Sequence, residues 1–357
     1  MNKGDLLTRS ECAILKAIAI VMIMTHNFSH LIEGIVPENE FSFTVDRGKE
    51  LLVHLAHPDY NILLHLLSFF GHYGVPLFLF LSGYGLVMKY ERSEHAAPGF
   101  FRFVGQHSVK LLKLMFLGFV CYMIIRYSMQ VNHTLAMGKV NILAQFAMVI
   151  NFLSEPWLRI KPGPYWFFGL MLQLYVIYRA VLYAPSDSKA RRWVWPVVFI
   201  LVCWVMQIWG ANPHHHRWLG WMRYNFFVAA LPFALGLLVA RYQVSFTLKR
   251  WQWCLGWLAA WAVVLGMNFS FHLWLWAPAM VVVSVVSLAK ALPRWTHTPL
   301  VWTGGISAML FVVHPLVRTV LIDHAKDGYI YSLILLYLVV SFVLAIAYKW
   351  LLKRIKI

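Results

Sequence analysis

Charge is what this sequence has least of. Only 13% of its 357 residues are Asp, Glu, Lys or Arg, against 61% apolar, whereas a soluble domain carries about a quarter charged residues. The shortage excludes a water-covered globule, although the length would suffice for a large soluble core. Acidic residues are the scarcer sign, 14 against 31 basic, for a net charge of +17. Cysteine is rare as well. Cys12, Cys121, Cys203 and Cys254 fall in apolar stretches with no paired spacing, which excludes a disulfide framework and a zinc ribbon. No soluble domain, low-complexity segment or internal repeat is visible. The first apolar block lacks the charged, apolar, small-residue succession of a cleavable leader. It also carries Lys16 and His26, so it reads as a retained helix.

What the chain has in abundance is apolar blocks of about 20 residues, the length that matches the hydrocarbon thickness of a bilayer. Ten are long enough to span, near Cys12–Ile32, Asn61–Lys89, Gln106–Gln130, Pro164–Tyr183, Trp193–Trp209, Arg223–Arg241, Trp251–Asn268, Phe271–Lys290, Leu300–Ile322 and Ile330–Leu351. Lys139–Ser154 is shorter, is flanked by His133, Glu155 and Pro156, and reads as interfacial or re-entrant. Backbone facing lipid must satisfy its own hydrogen bonds, so each span is expected to be a helix. The expected fold is therefore all-α, a polytopic transmembrane bundle of about ten spans forming a single domain over residues 1–357.

Basic residues orient the bundle. With the N-terminus in the cytoplasm, the inside segments carry Lys3 and Arg9, then Lys89, Arg92, Arg102, Lys110 and Lys113, and later Lys189, Arg191 and Arg192. The basic C-terminal run Lys353, Arg354 and Lys356 falls on the same side. The first outside loop holds instead Glu33, Glu38, Glu40, Asp46, Glu50 and Asp59. Topology and anionic lipid thus account for the positive charge, and no nucleic-acid partner is needed. Trp and Tyr near the span ends read as an interfacial belt, and Arg126, Arg179 and Arg318 as snorkelling side chains. The stretch Gly71, His72, Gly74 and Pro76 is expected to kink the second span.

Polar residues that the bilayer penalises point to function. Lys16 and His26 lie on one helix, about 15 Å apart along its axis and about 80° apart around it. They cannot touch, but both can line one long channel. His26 and His30 share a helical face at i, i+4, a spacing that can hold a metal. No carboxylate or third histidine follows at a motif distance, so no metal is expected there. The exposed run His214, His215 and His216 reads as solvated.

Five motifs, taken together, resemble the acyltransferase-3 family of membrane O-acyltransferases. They are Lys16 ten residues before His26; Phe78-Leu-Phe-Leu-Ser82-Gly83-Tyr84; Tyr165-Trp166 through Gln173; Pro232 through Gly236; and Gly305-Ile-Ser307 through His314-Pro315. They occur in the family's order across nearly the whole chain. Lys16 stands where the family more commonly has Arg, and Ala308 where it usually has an aromatic. The resemblance implies transfer of an acyl group, usually acetyl, from acyl-CoA (acetyl-CoA) as donor substrate to a carbohydrate or glycolipid hydroxyl, with no bound cofactor. It also implies a multi-pass protein of the bacterial inner membrane, and it fixes no oligomeric state. On this reading His26 is the general base, or a transient acyl carrier. Lys16, Arg9, Arg102, Lys110 and Lys113 bind CoA phosphates, and Ser82 and Tyr84 donate to the oxyanion. His314 orients His26 or binds the sugar, and His72, Trp166 and Gln173 shape the acceptor pocket. The rival class is a transporter or exporter of a small solute or glycan, but the matching inverted halves common in transporters are not visible. Orientation is open to direct test. A reporter fused after Ile357 is expected to be active only in its cytoplasmic form, and activity only outside would refute the even number of spans and make Lys139–Ser154 a full span.

Overall fold

The structure, a computed structural model, describes residues 5–93, 97–129, 137–184, 188, 190–325 and 328–354, without the His216 side chain. Expectations resting on Lys3, Gln130, His133, Lys189, Lys356 and Ile357 lie outside the described residues. Among the described residues there are helices and no strand. The chain opens with α1 (Arg9–Ser29), α2 (Val45–Ala56), α3 (Ile62–Gly71), α4 (Gly74–Tyr90) and α5 (Phe100–Met129). Next come α6 (Lys139–Phe146), α7 (Pro156–Arg159), α8 (Trp166–Ile177), α9 (Trp195–Gly210), α10 (His216–Arg223) and α11 (Phe226–Arg241). The last third holds α12 (Arg250–Met267), α13 (Phe271–Trp274), α14 (Ala277–Ala291), α15 (His297–Gly304), α16 (Ser307–Ala325) and α17 (Ile330–Arg354).

Seven of the described helices are long and apolar enough to cross a bilayer, and up to nine if two bent pairs each count as one span. Ten were expected. The difference lies largely in α12, an 18-residue helix whose Trp251, Trp253, Trp257 and Trp261, with Arg250 and Gln252, make it less apolar than the rest. The last expected spans also divide differently. α15 turns back from α14 at 107°, and a break at Gly305–Ile306 separates it from α16. α6 has eight residues, a rise of about 12 Å, too short to span. The second span breaks at His72–Tyr73 between α3 and α4, where glycine and proline cluster. α2 is a surface helix in the first long loop, capped where the Thr44 hydroxyl accepts from the Asp46 amide.

α1 lies at the centre. Its start is defined by a capping box: the Glu11 amide donates to Thr8 Oγ1 at 3.2 Å and the Thr8 amide donates to Glu11 Oε2 at 2.7 Å. Lys290 of α14 then pairs with Glu11 at 2.8 Å. Beyond this cap, Ile14, Leu15, Ala17, Ala19, Ile20, Ile23, Met24 and Phe28 are buried against α15, α3, α4 and α16. Arg241, at the end of α11, is also buried, and both oxygens of Glu91 accept from it at 2.8 Å.

Two of the sequence motifs meet in a helix crossing. α4 packs most extensively on α11. A Cβ on Gly83 would strike the Phe233 carbonyl, and one on Gly236 would strike the Phe80 carbonyl. Close backbone approach of this kind is how membrane helices associate without a hydrophobic drive. Gly236→Leu is therefore expected to destabilise the protein by about 1–3 kcal/mol, read as a lower melting temperature in detergent. An unchanged melting temperature would show that the crossing is looser than this.

Candidate functional site

His26 sits in the last turn of α1 and is 2% exposed. Its Nδ1 lies 2.7 Å from the Ser68 carbonyl of α3. A carbonyl can only accept, so Nδ1 carries the proton and Nε2 keeps a lone pair. Ser68 is anchored in turn, its hydroxyl donating to the Val36 carbonyl at 2.8 Å. The approach is tight because α3 ends in Gly71, where a Cβ would come within 2.6 Å of His26 Cβ and of the Met22 carbonyl. Glycine there lets α3 lie against α1 and hold the imidazole in one orientation.

Nε2 faces a loop that charge counting had placed outside. Glu40 Oε2 lies 3.6 Å from His26 Nε2, and Glu38 Oε1 lies 3.5 Å from His30 Nδ1. The loop is lashed inward: Arg223 Nε donates to the Glu40 carbonyl at 2.8 Å, and Trp274 Nε1 donates to the Asn39 carbonyl at 2.8 Å. The Val36 amide donates to His65 Nδ1 at 3.1 Å. Burial is the largest influence on Glu38 and pushes its carboxyl up. The His30 hydrogen bond and the charges of His26, His30 and His72 outweigh it and hold the group at about 2. Burial pushes the Glu40 carboxyl above its ordinary value, against the opposing pull of His26.

His26, His30 and Glu40 line a cavity of about 190 Å³ bounded also by Asn27, His72, Arg318 and the aromatic rings of Phe41, Trp166, Phe167, Tyr224 and Phe311. Phe41 stacks on Tyr224 with ring centroids 4.3 Å apart. The His72 ring lies 5.7 Å from that of His26, and both its nitrogens are buried without a hydrogen-bond partner. Arg318, expected to snorkel, instead points inward: its guanidinium donates to the Asn27 carbonyl at 3.1 Å and to Asn27 Oδ1 at 2.8 Å. One ring nitrogen each of His26 and His30 and an oxygen of Glu38 lie within 4.8 Å of one another. The carboxylate that sequence spacing did not supply is brought in by the loop.

A second cavity, of about 520 Å³, opens at the other end of α1, lined by Asp5, Arg9, Cys12, Lys16, Tyr84, Gly85, Met88 and Arg92. The residues proposed from sequence thus divide between two places. His26, His72 and Trp166 gather at the first cavity, and Arg9, Lys16 and Tyr84 at the second. Tyr84 donates to the Leu7 carbonyl at 3.4 Å, and Ser82 donates to the Phe78 carbonyl one turn back at 2.7 Å, so neither is brought to His26. Arg102, Lys110 and Lys113 are exposed on α5 and do not line the second cavity. His314 is fully buried, its Nδ1 3.0 Å from the Leu310 carbonyl. It borders the first cavity only through Phe311. Sequence reasoning missed Glu40, Arg318, Asn27 and Tyr224. The one available signal was that Glu38 and Glu40 are two of only 14 acidic residues.

Gln173 is a clamp rather than a cavity wall. Its Nε2 donates to Asn225 Oδ1 at 2.8 Å, and its Oε1 accepts from the Phe226 amide at 3.0 Å. Asn225 Nδ2 donates to the Asn151 carbonyl at 3.0 Å. Asn151 Nδ2 donates to the carbonyls of Trp166 and Tyr224 at 2.8 and 2.7 Å. This network fixes two walls of the cavity. Gln173→Leu leaves a buried acceptor and a buried amide unpaired, each costing about 1–3 kcal/mol. Thermal unfolding should show a clear loss of stability in this variant, and a neutral result would mean that the network is not what holds Trp166 and Tyr224.

The acyltransferase-3 family model, described as an acyltransferase domain, matches residues 13–354. No curated protein and no solved structure matches the chain. The matched segment runs from the second turn of α1 to the end of α17 and contains the whole of the first cavity. This multi-pass helical chain belongs to the acyltransferase-3 family and is a membrane acyltransferase.

Proposed function

We propose that the protein transfers an acetyl group from acetyl-CoA to a hydroxyl of a carbohydrate or glycolipid acceptor, with His26 as general base. The observation that carries this reading is the tautomer of His26. Its Nδ1–H is committed to the Ser68 carbonyl, so the lone pair on Nε2 is left at the cavity. An alcohol is a weak nucleophile at neutral pH, and a positioned imidazole is suited to take its proton. As the hydroxyl oxygen attacks the thioester carbonyl, its proton passes to Nε2. Glu40, 3.6 Å away, stabilises the imidazolium. The carbon–sulfur bond breaks, and His26 returns the proton to the departing thiolate.

Negative charge gathers on the thioester oxygen during attack, and donors aimed at it are the most effective aid a site supplies. Arg318 takes that role in place of Ser82 and Tyr84, because its guanidinium lines the cavity. The rings of Phe41, Trp166 and Tyr224 offer apolar faces to a sugar. On the donor side, Arg9 and Lys16 at the second cavity suit the phosphates of coenzyme A. The about 15 Å of α1 between Lys16 and His26 suits its extended pantetheine arm. Anionic phosphates at a basic N-terminal end, with the termini in the cytoplasm of a bacterial inner membrane, and a sugar at the opposite face make one consistent assignment.

Two variants test the assignment in purified protein. His26→Ala is expected to keep its melting temperature and lose acetyl transfer, and turnover close to wild type would overturn His26 as the base. Lys16→Gln is expected to raise the apparent KM for acetyl-CoA, most at low salt where charge is least screened, and to leave the acceptor KM in place. Unchanged CoA affinity with lost acceptor affinity would mean the two substrates occupy the opposite cavities.

A further inference from the structure

His26 and His30 at the first cavity, with Glu38 beside them, are arranged in a way that base catalysis alone does not require. His26, His30 and Glu38 offer two imidazole nitrogens and a carboxylate oxygen within 4.8 Å of one another. This donor set suits a divalent transition metal such as zinc. A histidine that ligates a metal nearly always donates its other ring N–H to a carbonyl or carboxylate, and His26 does so to Ser68 at 2.7 Å. Its Nε2 is buried and has no hydrogen-bond partner. His72, 4% exposed with both nitrogens equally unpartnered, lies next to it. Zinc–ligand distances of about 2.0–2.2 Å require the three atoms to draw in. Glu38 sits on the loop and His30 at the C-cap of α1, so closure falls to rotation of these two side chains.

A second group, His54, Asp59 and His65, is less suited. The Val36 amide donates to His65 Nδ1, so the proton of neutral His65 sits on Nε2, the nitrogen that faces Asp59.

We infer that His26, His30 and Glu38 form a zinc site that switches the enzyme off by occupying the lone pair of His26 Nε2. The inference of inhibition rests on His26 being the base; the inference of binding does not. The same electron pair cannot hold a metal and accept a substrate proton, so the two states exclude each other. A metal entering from the side of the acceptor would arrest transfer without disturbing the donor cavity at the far end of α1.

The test measures binding and activity separately. Purified protein, stripped with a chelator, is titrated with Zn²⁺ against a chromophoric competitor. One ion per chain is expected. Binding should weaken at least ~10-fold in His30→Gln and in Glu38→Gln, since a direct ligand matters more than the outer-shell partners whose loss has that effect. It should be unchanged when His214 and His215 of the exposed loop are replaced by Gln. Each variant is first checked for an unaltered melting temperature in the metal-free state. No binding to the wild type, or binding lost with the His214 and His215 replacements and kept in His30→Gln and Glu38→Gln, overturns the site. Acetyl transfer by the wild type is expected to fall with bound Zn²⁺ and to return on chelation. Stoichiometric binding with undiminished transfer would overturn the inhibition and would count against His26 as the base, while leaving the site itself in place.

Discussion

The position of α1 governs this structure, and it depends on neighbours that bring no side chain to the contact. At three levels along the helix a glycine from another element meets the α1 backbone: Gly304 at the Ala13 carbonyl, Gly74 at the Ala19 carbonyl, and Gly71 at the Met22 carbonyl and His26 Cβ. Any larger residue would push the partner helix away. In a bilayer, where lipid tails are as apolar as leucine, such close packing is the main source of helix association. His26 is held in register because the helix that carries it cannot shift against α3 without losing both this contact and the Ser68 hydrogen bond.

The second constraint is the loop between α1 and α2. Two carboxylates beside a buried imidazole are stable only if their surroundings supply compensating charge and hydrogen bonds. The loop meets this requirement by fastening its backbone from several directions, through Arg223, Trp274, His65 and Ser68. These partners come from three elements far apart in sequence, α3, α10 and α13, and each bonds a carbonyl or amide rather than the carboxylate. The carboxyl groups of Glu38 and Glu40 are thereby left to the histidines. Arg223 itself is buried between Gln207 and the Trp274 ring, 4.3 Å from the ring centre, so the fastening belongs to the core.

Placing the two cavities at opposite ends of one rigid helix has a consequence for the proposed reaction. A donor held at the basic end and an acceptor held at the aromatic end never compete for the same surface, and only the thin arm of the donor must pass between them. At the end that carries Lys16 and Arg9, the Arg92 guanidinium pairs with Asp5 inside the donor cavity. The cations that remain for the donor among the residues lining it are Arg9 and Lys16.

The membrane class and helical architecture were legible because hydrocarbon thickness and backbone hydrogen bonding leave few alternatives. His26 was legible for a related reason: a histidine inside an apolar helix is conspicuous against its neighbours. Even the kink at His72 was announced by Gly71, Gly74 and Pro76. Span boundaries were less so, since the tryptophans of α12 and the turn between α14 and α15 blur the contrast between interface and interior. Tertiary structure alone decided that Tyr84 and Ser82 lie away from His26, that Gln173 clamps the start of α11 at Asn225 and Phe226, and that Arg318 turns inward. It alone also brought Glu38 and Glu40 to the imidazole. An acidic residue in a loop looks the same in sequence whether it faces water or folds back over a cavity. The difference is set by hydrogen bonds from distant residues, among them one from Arg223, more than 180 residues away along the chain.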